Sequence, residues 1–427
     1  MLRPVPPLLG ALALAVPAHM ASLLAMVFTP ADSYFRLIAL LLIILLVRQC
    51  LVTIDEPSDL GELFRLYMCG YILYANEFLL LKKLVARASP STPQRLVSGL
   101  RLLFSPRIHV PRKAIPAFDP TQPNYVPTRW EFFWRQTLRI AGLATAYYCV
   151  FHRYPLHILI TDYARPREHL LRRLSQVSGR EVVVRVYTAF KEHFRNYLLM
   201  SLGHSSTSLV GVFLFQDDPA DWPPLYGSLK DAYTVRRYYS HFWHRVMRTA
   251  FVSNAKFLLF RVLRIPSSAA MSRYLVSVTA LAISGAMHSV AFSTPWRCAS
   301  LLPLWYYLSI AGAIVVEDLA QLAYRKSMAS FLSGRKAGPS TADASEKDDK
   351  LLPLHDVKGK DESGGGGDGL GSSFQGSGDK RPSVGWRCLG YLWVMSFECW
   401  SLPRAVYPQL ICHWQERVLA LHPEATL

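Results

Sequence analysis

FRLIALLLIILLV, residues 35–47, decides the fold class. Its one charge, Arg36, stands near its start, and every residue after it is apolar. A helix needs about 20 mostly apolar residues to cross a bilayer. Continued to residue 53, this run reaches that order. Working outward, seven further stretches read the same way: 8–28, 63–81, 137–160, 197–215, 275–292, 301–324 and 386–410. The fifth span in chain order, 197–215, carries Gly203, His204 and a Ser/Thr cluster, which suits the lining of a cavity. The first has a second reading as a signal peptide, since Arg3 precedes an alanine-rich stretch. A membrane span is preferred there, because the seven other spans already place the chain in a bilayer. The expected fold is all-α: a multi-pass integral membrane helical bundle of about eight transmembrane helices.

Composition agrees. Of 427 residues, 51% are hydrophobic and 18% charged, against roughly 45–50% and about 25% in soluble domains. This excludes a disordered chain and argues against a soluble globular enzyme. The net charge of +17 lies in loops between greasy segments, which fits membrane flanks better than nucleic acid. Residues 82–136 carry ten Lys/Arg against two acids, and residues 228–274 nine against one. The positive-inside rule puts both loops in the cytosol. Eight spans then leave the acidic loop 54–62, the weakly basic loop 161–196 and both termini on the lumenal side. Endoplasmic reticulum is the default compartment for such a chain.

Three regions follow. Residues 1–332 hold the first seven spans, with the catalytic core expected within 225–332. Residues 333–385 hold half of the 24 glycines and the run 364–367, and read as a disordered cytosolic linker. Residues 386–427 hold the last span and a tail. Seven cysteines form no CxxC pair. They read as small buried hydrophobes rather than a disulfide framework or a zinc site.

Ionisable groups in apolar surroundings are costly, so they mark candidate chemistry. LAISGAMHSV, residues 281–290, buries His288 in the sixth span with Ser284 one turn before it. Gly285 and Ala286 permit close helix approach. Two readings stay open: a neutral imidazole acting as general base, or a histidine bonded to a neighbouring helix. RRYYSHFWHRVMR, residues 236–248, combines Arg236, Arg237, Arg245 and Arg248 with His241, His244 and four aromatics. As one helix it sets Tyr239, Phe242, Trp243 and Val246 on a single stripe. It reads either as an interfacial helix with snorkelling arginines or as a lid gripping an anionic, phosphate-bearing cofactor. Glu317 and Asp318 are adjacent in the seventh span. They suit pairing with an arginine or capping a cavity better than metal ligation, and no metal is expected.

RYYSHFWHR, then SGAMHS, then GAIVVEDLAQ, then GYLWVMSFECWSLPRAVYP stand in this order along the chain. The set resembles the wax-synthase-like branch of membrane-bound O-acyltransferases, in particular fungal enzymes that acetylate terpenoid and meroterpenoid hydroxyls. The resemblance covers about residues 225–409. It implies that His288 is the intramembrane catalytic histidine. It also sets Trp243 and His244 on the family's aromatic motif, with His244 as a second catalytic residue or a donor that positions the thioester. It implies an acyl-CoA co-substrate, acetyl-CoA above all, with no permanently bound cofactor. Arg236, Arg237, Trp243, Arg245 and Arg248 would hold that co-substrate, and Ser284, Tyr239, Glu317 and Asp318 would line a catalytic tunnel enclosed by the bundle. The partners implied are a lipophilic alcohol and the bilayer. Three alternatives remain: a wax synthase using long-chain acyl-CoA, a transporter, and a non-catalytic membrane scaffold whose basic loops bind anionic lipid.

Overall fold

The computed structural model describes residues 7–54, 59–86, 91–104, 125–153, 158–243, 247–268, 271–293, 300–336 and 383–421. Among them every regular element is helical. The deciding run forms α2 (Phe35–Thr53), packed on α1 (Pro7–Phe28). Along α2 the buried positions are Arg36, Leu40, Ile43, Val47 and Cys50, a stripe at helical spacing. Leu37, Ile38, Leu41, Leu42 and Leu45 point outward and are exposed. A soluble helix would reverse this: here the charge is inside and the grease outside. Arg36 is satisfied by helix ends, donating to Thr29 O (3.1 Å) and Leu79 O (3.4 Å). On α1 the small residues Ala11, Ala15 and Ala18 are buried, which lets the two backbones approach.

α3 (Asp59–Asn76) continues as a π-helical turn over Glu77–Leu81. Two helices follow that the loop reading did not include or place in full. α4 (Thr92–Phe104) lies inside the expected basic loop and packs on α1. α5 (Arg129–Tyr148) starts eight residues before the expected fourth span, behind a Thr128–Glu131 capping box. It ends in a π-turn over Cys149–Arg153 rather than reaching residue 160. The largest revision is α6 (Gly179–Phe213), a helix of 35 residues that takes in much of the expected lumenal loop. At 1.5 Å per residue it is about 52 Å long, well beyond a hydrocarbon core of about 30 Å. Two of its charges compensate each other: Arg185 donates to Glu181 at 3.1 Å, and both are buried.

The expected basic loop 228–274 is likewise structured. α7 (Val235–Arg237) runs into a π-turn over Tyr238–Phe242, and α8 (Arg248–Lys256) into one over Phe257–Val262. α9 (Ser272–Ala291), α10 (Leu302–Lys336) and α11 (Val384–Leu421) follow. By length and composition, α1, α2, α9 and residues 302–328 of α10 are each able to cross a membrane. The chain is an integral membrane protein, and its described part is an all-helical bundle. The other four expected spans fall on α3, α5, α6 and α11, which carry more charge. The expected linker lies outside the described residues over 337–382. Two cysteine readings change: Cys412 is disulfide-bonded, and Cys388 is exposed while Cys50 and Cys69 are buried.

Candidate active site

A cavity of about 1090 Å3 runs between α3, α4, α6, α8, α9, α10 and α11. On α6 its wall extends from Lys191 to Gly211, about 30 Å along the axis. One end is marked by Glu62 and Arg195, paired at 2.8 Å, and by Arg65. The other is marked by Arg101 and Asp217. There Arg101 lies 3.5 Å from Asp217. Burial pushes the Asp217 carboxyl up from its ordinary range, although Trp222 Nε1 donates to it at 3.2 Å.

His288 faces this cavity together with Leu281 and Ser284, the positions seven and four residues before it on α9. The adjoining side of α9, about 100° round the helix from Ser284 and His288, is pressed against α10. A Cβ on Gly285 would stand 2.8 Å from Leu304 Cα, and Ser289 Oγ accepts from Leu304 N at 3.3 Å. This contact brings Tyr307 onto the histidine. Its hydroxyl is 2.9 Å from His288 Nε2, and the ring centroids are 4.6 Å apart. His288 Nδ1 lies 2.8 Å from Ser284 O. A carbonyl only accepts, so Nδ1 carries the hydrogen and Nε2 presents its lone pair, which Tyr307 meets as donor. The basic nitrogen therefore points at a hydroxyl, in the arrangement that proton abstraction from an alcohol requires. The histidine is bonded to its own helix and to a neighbouring one, and it opens on a cavity.

The segment 236–248 is not one helix. After the π-turn, Trp243 adopts an extended conformation (ψ 150°). The wider turn changes the register, so the expected stripe splits. Tyr239 turns to Glu398 on α11, its hydroxyl 2.8 Å away, while Phe242 is buried beside Tyr226. Gly227 N donates to Phe242 O at 2.9 Å. Only glycine fits there, because a Cβ would lie 2.0 Å from His241 O. His244, Arg245 and Val246 lie outside the described residues.

Of the other expected site residues, Tyr239, Trp243 and Arg248 line the cavity with His288 and Ser284. Arg236 and Arg237 stand away from it. Arg236 is ion-paired with Asp318. Arg237 lies 3.7 Å from Asp231 and over the Tyr233 ring. Glu317 accepts from Val235 N (2.5 Å), Arg236 N (3.0 Å) and Trp393 Nε1 (2.8 Å). It thus anchors the start of α7 instead of facing the tunnel. The expected arginine pairing is met by Asp318. Among the described residues no cluster of His, Cys, Asp or Glu could hold a metal ion.

Sequence reasoning missed Tyr307, His193 and Glu398. Tyr306 donates to Glu398 Oε2 at 2.8 Å, and His193 Nε2 is 3.7 Å from the same oxygen. Glu398 carried a signal, being an acid inside the last expected span. His193 lay in the part of α6 taken for a loop.

Residues 222–305 match the model of the Membrane bound O-acyl transferase family. That stretch runs from the cavity wall at Trp222 through Tyr239 and Trp243 to His288 and the start of α10. The chain thus resembles the membrane-bound O-acyltransferases, and its relatives are fungal. It is 29% identical to Acetyltransferase eriL of Hericium erinaceus over 58% of this chain and 65% of that protein. With Acetyltransferase atnC of an Arthrinium species it shares 30% identity over 35% of each. With Acetyltransferase TRI7 of Fusarium sporotrichioides it shares 32% over 30% of each. The chain matches less than two thirds of the length of each of these relatives. No solved structure matches it.

Proposed function

We propose that the protein is an acyl-CoA-dependent O-acyltransferase of the endoplasmic reticulum membrane. Acetyl-CoA is the donor, and the acceptor is the hydroxyl of a lipophilic alcohol of the terpenoid or meroterpenoid kind. The observation that carries this reading is His288 Nε2, aimed at a hydroxyl 2.9 Å away on the wall of a cavity to which the matched stretch contributes His288, Ser284, Tyr239 and Trp243. The Tyr307 hydroxyl marks where an acceptor hydroxyl would sit. In the reaction the acceptor O–H gives its proton to Nε2 while the oxygen attacks the thioester carbonyl carbon. The tetrahedral intermediate collapses, the C–S bond breaks, and Nε2 returns the proton to the departing thiolate. No covalent acyl-enzyme is needed. Aligning both substrates in one cavity lowers the barrier through orientation.

The anionic end of the donor is drawn to Arg101 and Arg248, two cations on the cavity wall. Arg236 and Arg237 contribute there only if their ion pairs with Asp318 and Asp231 open. His244 and Arg245 lie between Trp243 and Arg248 in sequence and keep the roles the resemblance implies, acyl positioning and phosphate binding. The sidedness agrees with the loop charges, since α4 and α8 belong to the two basic segments. The disulfide at Cys412, near the opposite end of α11, suits an oxidising lumen. The volume also favours a second reading, a long-chain wax synthase, because about 1090 Å3 exceeds a typical small-ligand pocket of about 300–1000 Å3. Rates with donors from acetyl- to palmitoyl-CoA separate the two. The decisive test is His288→Ala in microsomes at equal protein level. Ester formation should fall by about 100-fold or more, and undiminished turnover would remove His288 from the mechanism.

A further inference from the structure

The cavity has a second polar cluster on its wall, built from α6, the π-turn after α7, α10 and α11. Tyr239 Oη lies 2.8 Å from Glu398 Oε1, Tyr306 Oη 2.8 Å from Oε2, and the two hydroxyls 2.6 Å from each other. Three contacts this short need three hydrogens. The two tyrosines supply two. His193 is constrained in the same way. Its Nδ1 lies 3.0 Å from Ala189 O, so Nδ1 carries the hydrogen. Nε2 then turns toward Glu398 Oε2, 3.7 Å away. A neutral imidazole facing an ionised carboxylate would set lone pair against negative charge, and one tyrosine contact would lack its hydrogen. The three contacts are short of one hydrogen unless Glu398 holds it, and His193 Nε2 is the neighbouring base that could take it up.

His193 is the member able to bring that proton to a ligand. It lines the cavity, as do Tyr239 and Tyr306, whereas Glu398 stands behind them and is buried. The His193 ring is held edge-on by Tyr238 and Trp243, at centroid distances of 5.7 and 5.1 Å. The other charges near it are spoken for. On α6, Glu192 pairs with Arg195 at 3.0 Å, and Arg195 pairs with Glu62 of α3 at 2.8 Å. Lys191 also lies on α6 and would oppose a cationic imidazole. Tyr238, Tyr239 and Tyr306 approach as neutral rings. Glu398 is the carboxylate in contact with the ring.

We propose that His193 and Glu398 share one exchangeable proton, and that His193 Nε2–H donates it as a hydrogen bond to the acyl carbonyl oxygen, stabilising the oxyanion opposite His288. This rests on the acyl-transfer reading. No bond to the proton is broken in the step: it stays on Nε2 while negative charge grows on the oxygen, and Glu398 balances the imidazolium from behind. His193 is then a catalytic residue and Glu398 a positioning residue. The two histidines occupy one cavity, and the consecutive residues Tyr306 and Tyr307 join their networks.

The experiment uses the full-length protein with acetyl-CoA and an accepted alcohol. Glu398→Gln still bonds the tyrosines but cannot balance an imidazolium. Its kcat at pH 8 should fall by about 100-fold with KM for acetyl-CoA little changed. The ratio of its rate to that of the unmodified protein should then rise at least about tenfold between pH 8 and pH 6, as solvent protons charge the imidazole. Taking the ratio cancels the titration of His288. Glu398→Asp should keep a flat ratio, and His193→Ala should lose about 100- to 1000-fold with no recovery at acid pH. A flat ratio in Glu398→Gln, or near-normal kcat in His193→Ala, overturns the proposal. Infrared difference spectra give a readout without turnover. A carboxylic-acid band absent from Glu398→Gln should bleach when a ketone analogue of the thioester binds, and should stay in His193→Ala. An unmodified protein that makes no ester from any donor would strike the acyltransferase reading, while the infrared band still decides whether the proton is shared.

Discussion

Gly285→Ala tests whether the α9–α10 contact sets the chemistry. The added Cβ would stand 2.8 Å from Leu304 Cα, 3.1 Å from Leu304 Cδ1 and 3.1 Å from Tyr307 Cβ. Carbon atoms settle at about 3.5–4.0 Å, so the helices must part by about 1 Å. One of the obstructing atoms is backbone, and no rotamer change relieves it. The Tyr307 hydroxyl, 2.9 Å from His288 Nε2, would then sit beyond hydrogen-bond range, which ends near 3.2 Å. Overpacking costs about 1–3 kcal/mol, and alanine returns about 1 kcal/mol of helix propensity over glycine. The net loss of about 0–2 kcal/mol leaves the protein folded. The rate should respond far more, since misplacement by about 1 Å costs up to about 100-fold. The assay pairs initial rates of ester formation with melting in detergent. Gly312→Ala on α10 is the control, because its Cβ would meet nothing within 4 Å; it should keep its rate and melt at the same temperature or higher. A Gly285→Ala protein that turns over normally would refute the claim that this crossing positions His288.

Glu317→Ala leaves three donors without their acceptor. At about 1–3 kcal/mol for a buried donor, with part recovered by relaxation, it should cost about 2–4 kcal/mol and loosen Tyr239 and Trp243. Melting and tryptophan fluorescence measure both, and an unchanged melt would contradict the anchoring role. Asp162 accepts from Arg180 (2.6 Å), from Leu159 N (3.0 Å) and from Arg167 (2.9 Å). The Arg180 bond above all holds its carboxyl well below the usual carboxylate range. Its folded value is the lower one, so the stability it adds is complete above about pH 4, the unfolded value, and is lost as pH falls toward the folded value. Asp162→Asn should therefore lower the melting temperature at pH 7, with the gap to the unmodified protein closing below about pH 4. A gap that stays constant down to pH 3 would show that the ion pairs do not carry it.

The helices that sequence displays clearly are those whose lipid-facing surface dominates their composition. α2 is legible because its exposed side over residues 37–45 is all leucine and isoleucine, and a single arginine inside does not spoil the run. α6 is not, because a hydropathy reading counts Glu181 and Arg185 as two charges, whereas the helix buries them as one pair one turn apart. α5 hides for the same reason: Arg129 reads as a loop residue but donates to Val212 O at 2.8 Å, closing the end of α6. The site divides similarly. His288 stands alone in an apolar run and draws attention. Arg236 cannot be told from a phosphate grip until its partner Asp318, 82 residues away, is known to be beside it. Tyr239 and Glu398 are separated by 159 residues, and no local pattern couples them.

The pairing of Tyr306 with Tyr307 has a consequence of its own. Successive residues on a helix point about 100° apart, so one turn of α10 sends Tyr306 to Glu398 and Tyr307 to His288. The two hydroxyls thus report on different helices, α11 and α9, from adjacent Cα atoms. Any sliding of α10 alters both networks together, whereas a movement of α9 alone breaks only the His288 bond. Gly285 and Ser289 hold α9 against Leu304, just below the two tyrosines, so the crossing fixes the separation of the proton acceptor from the proposed proton donor. Binding of a thioester between them would be sensed on both sides of α10. On this geometry Gly285→Ala and Glu398→Gln act on separate walls of one cavity. Their effects on kcat should multiply if α9 alone moves, and should fall short of the product if α10 is displaced with it. Measuring the double variant decides which helix yields.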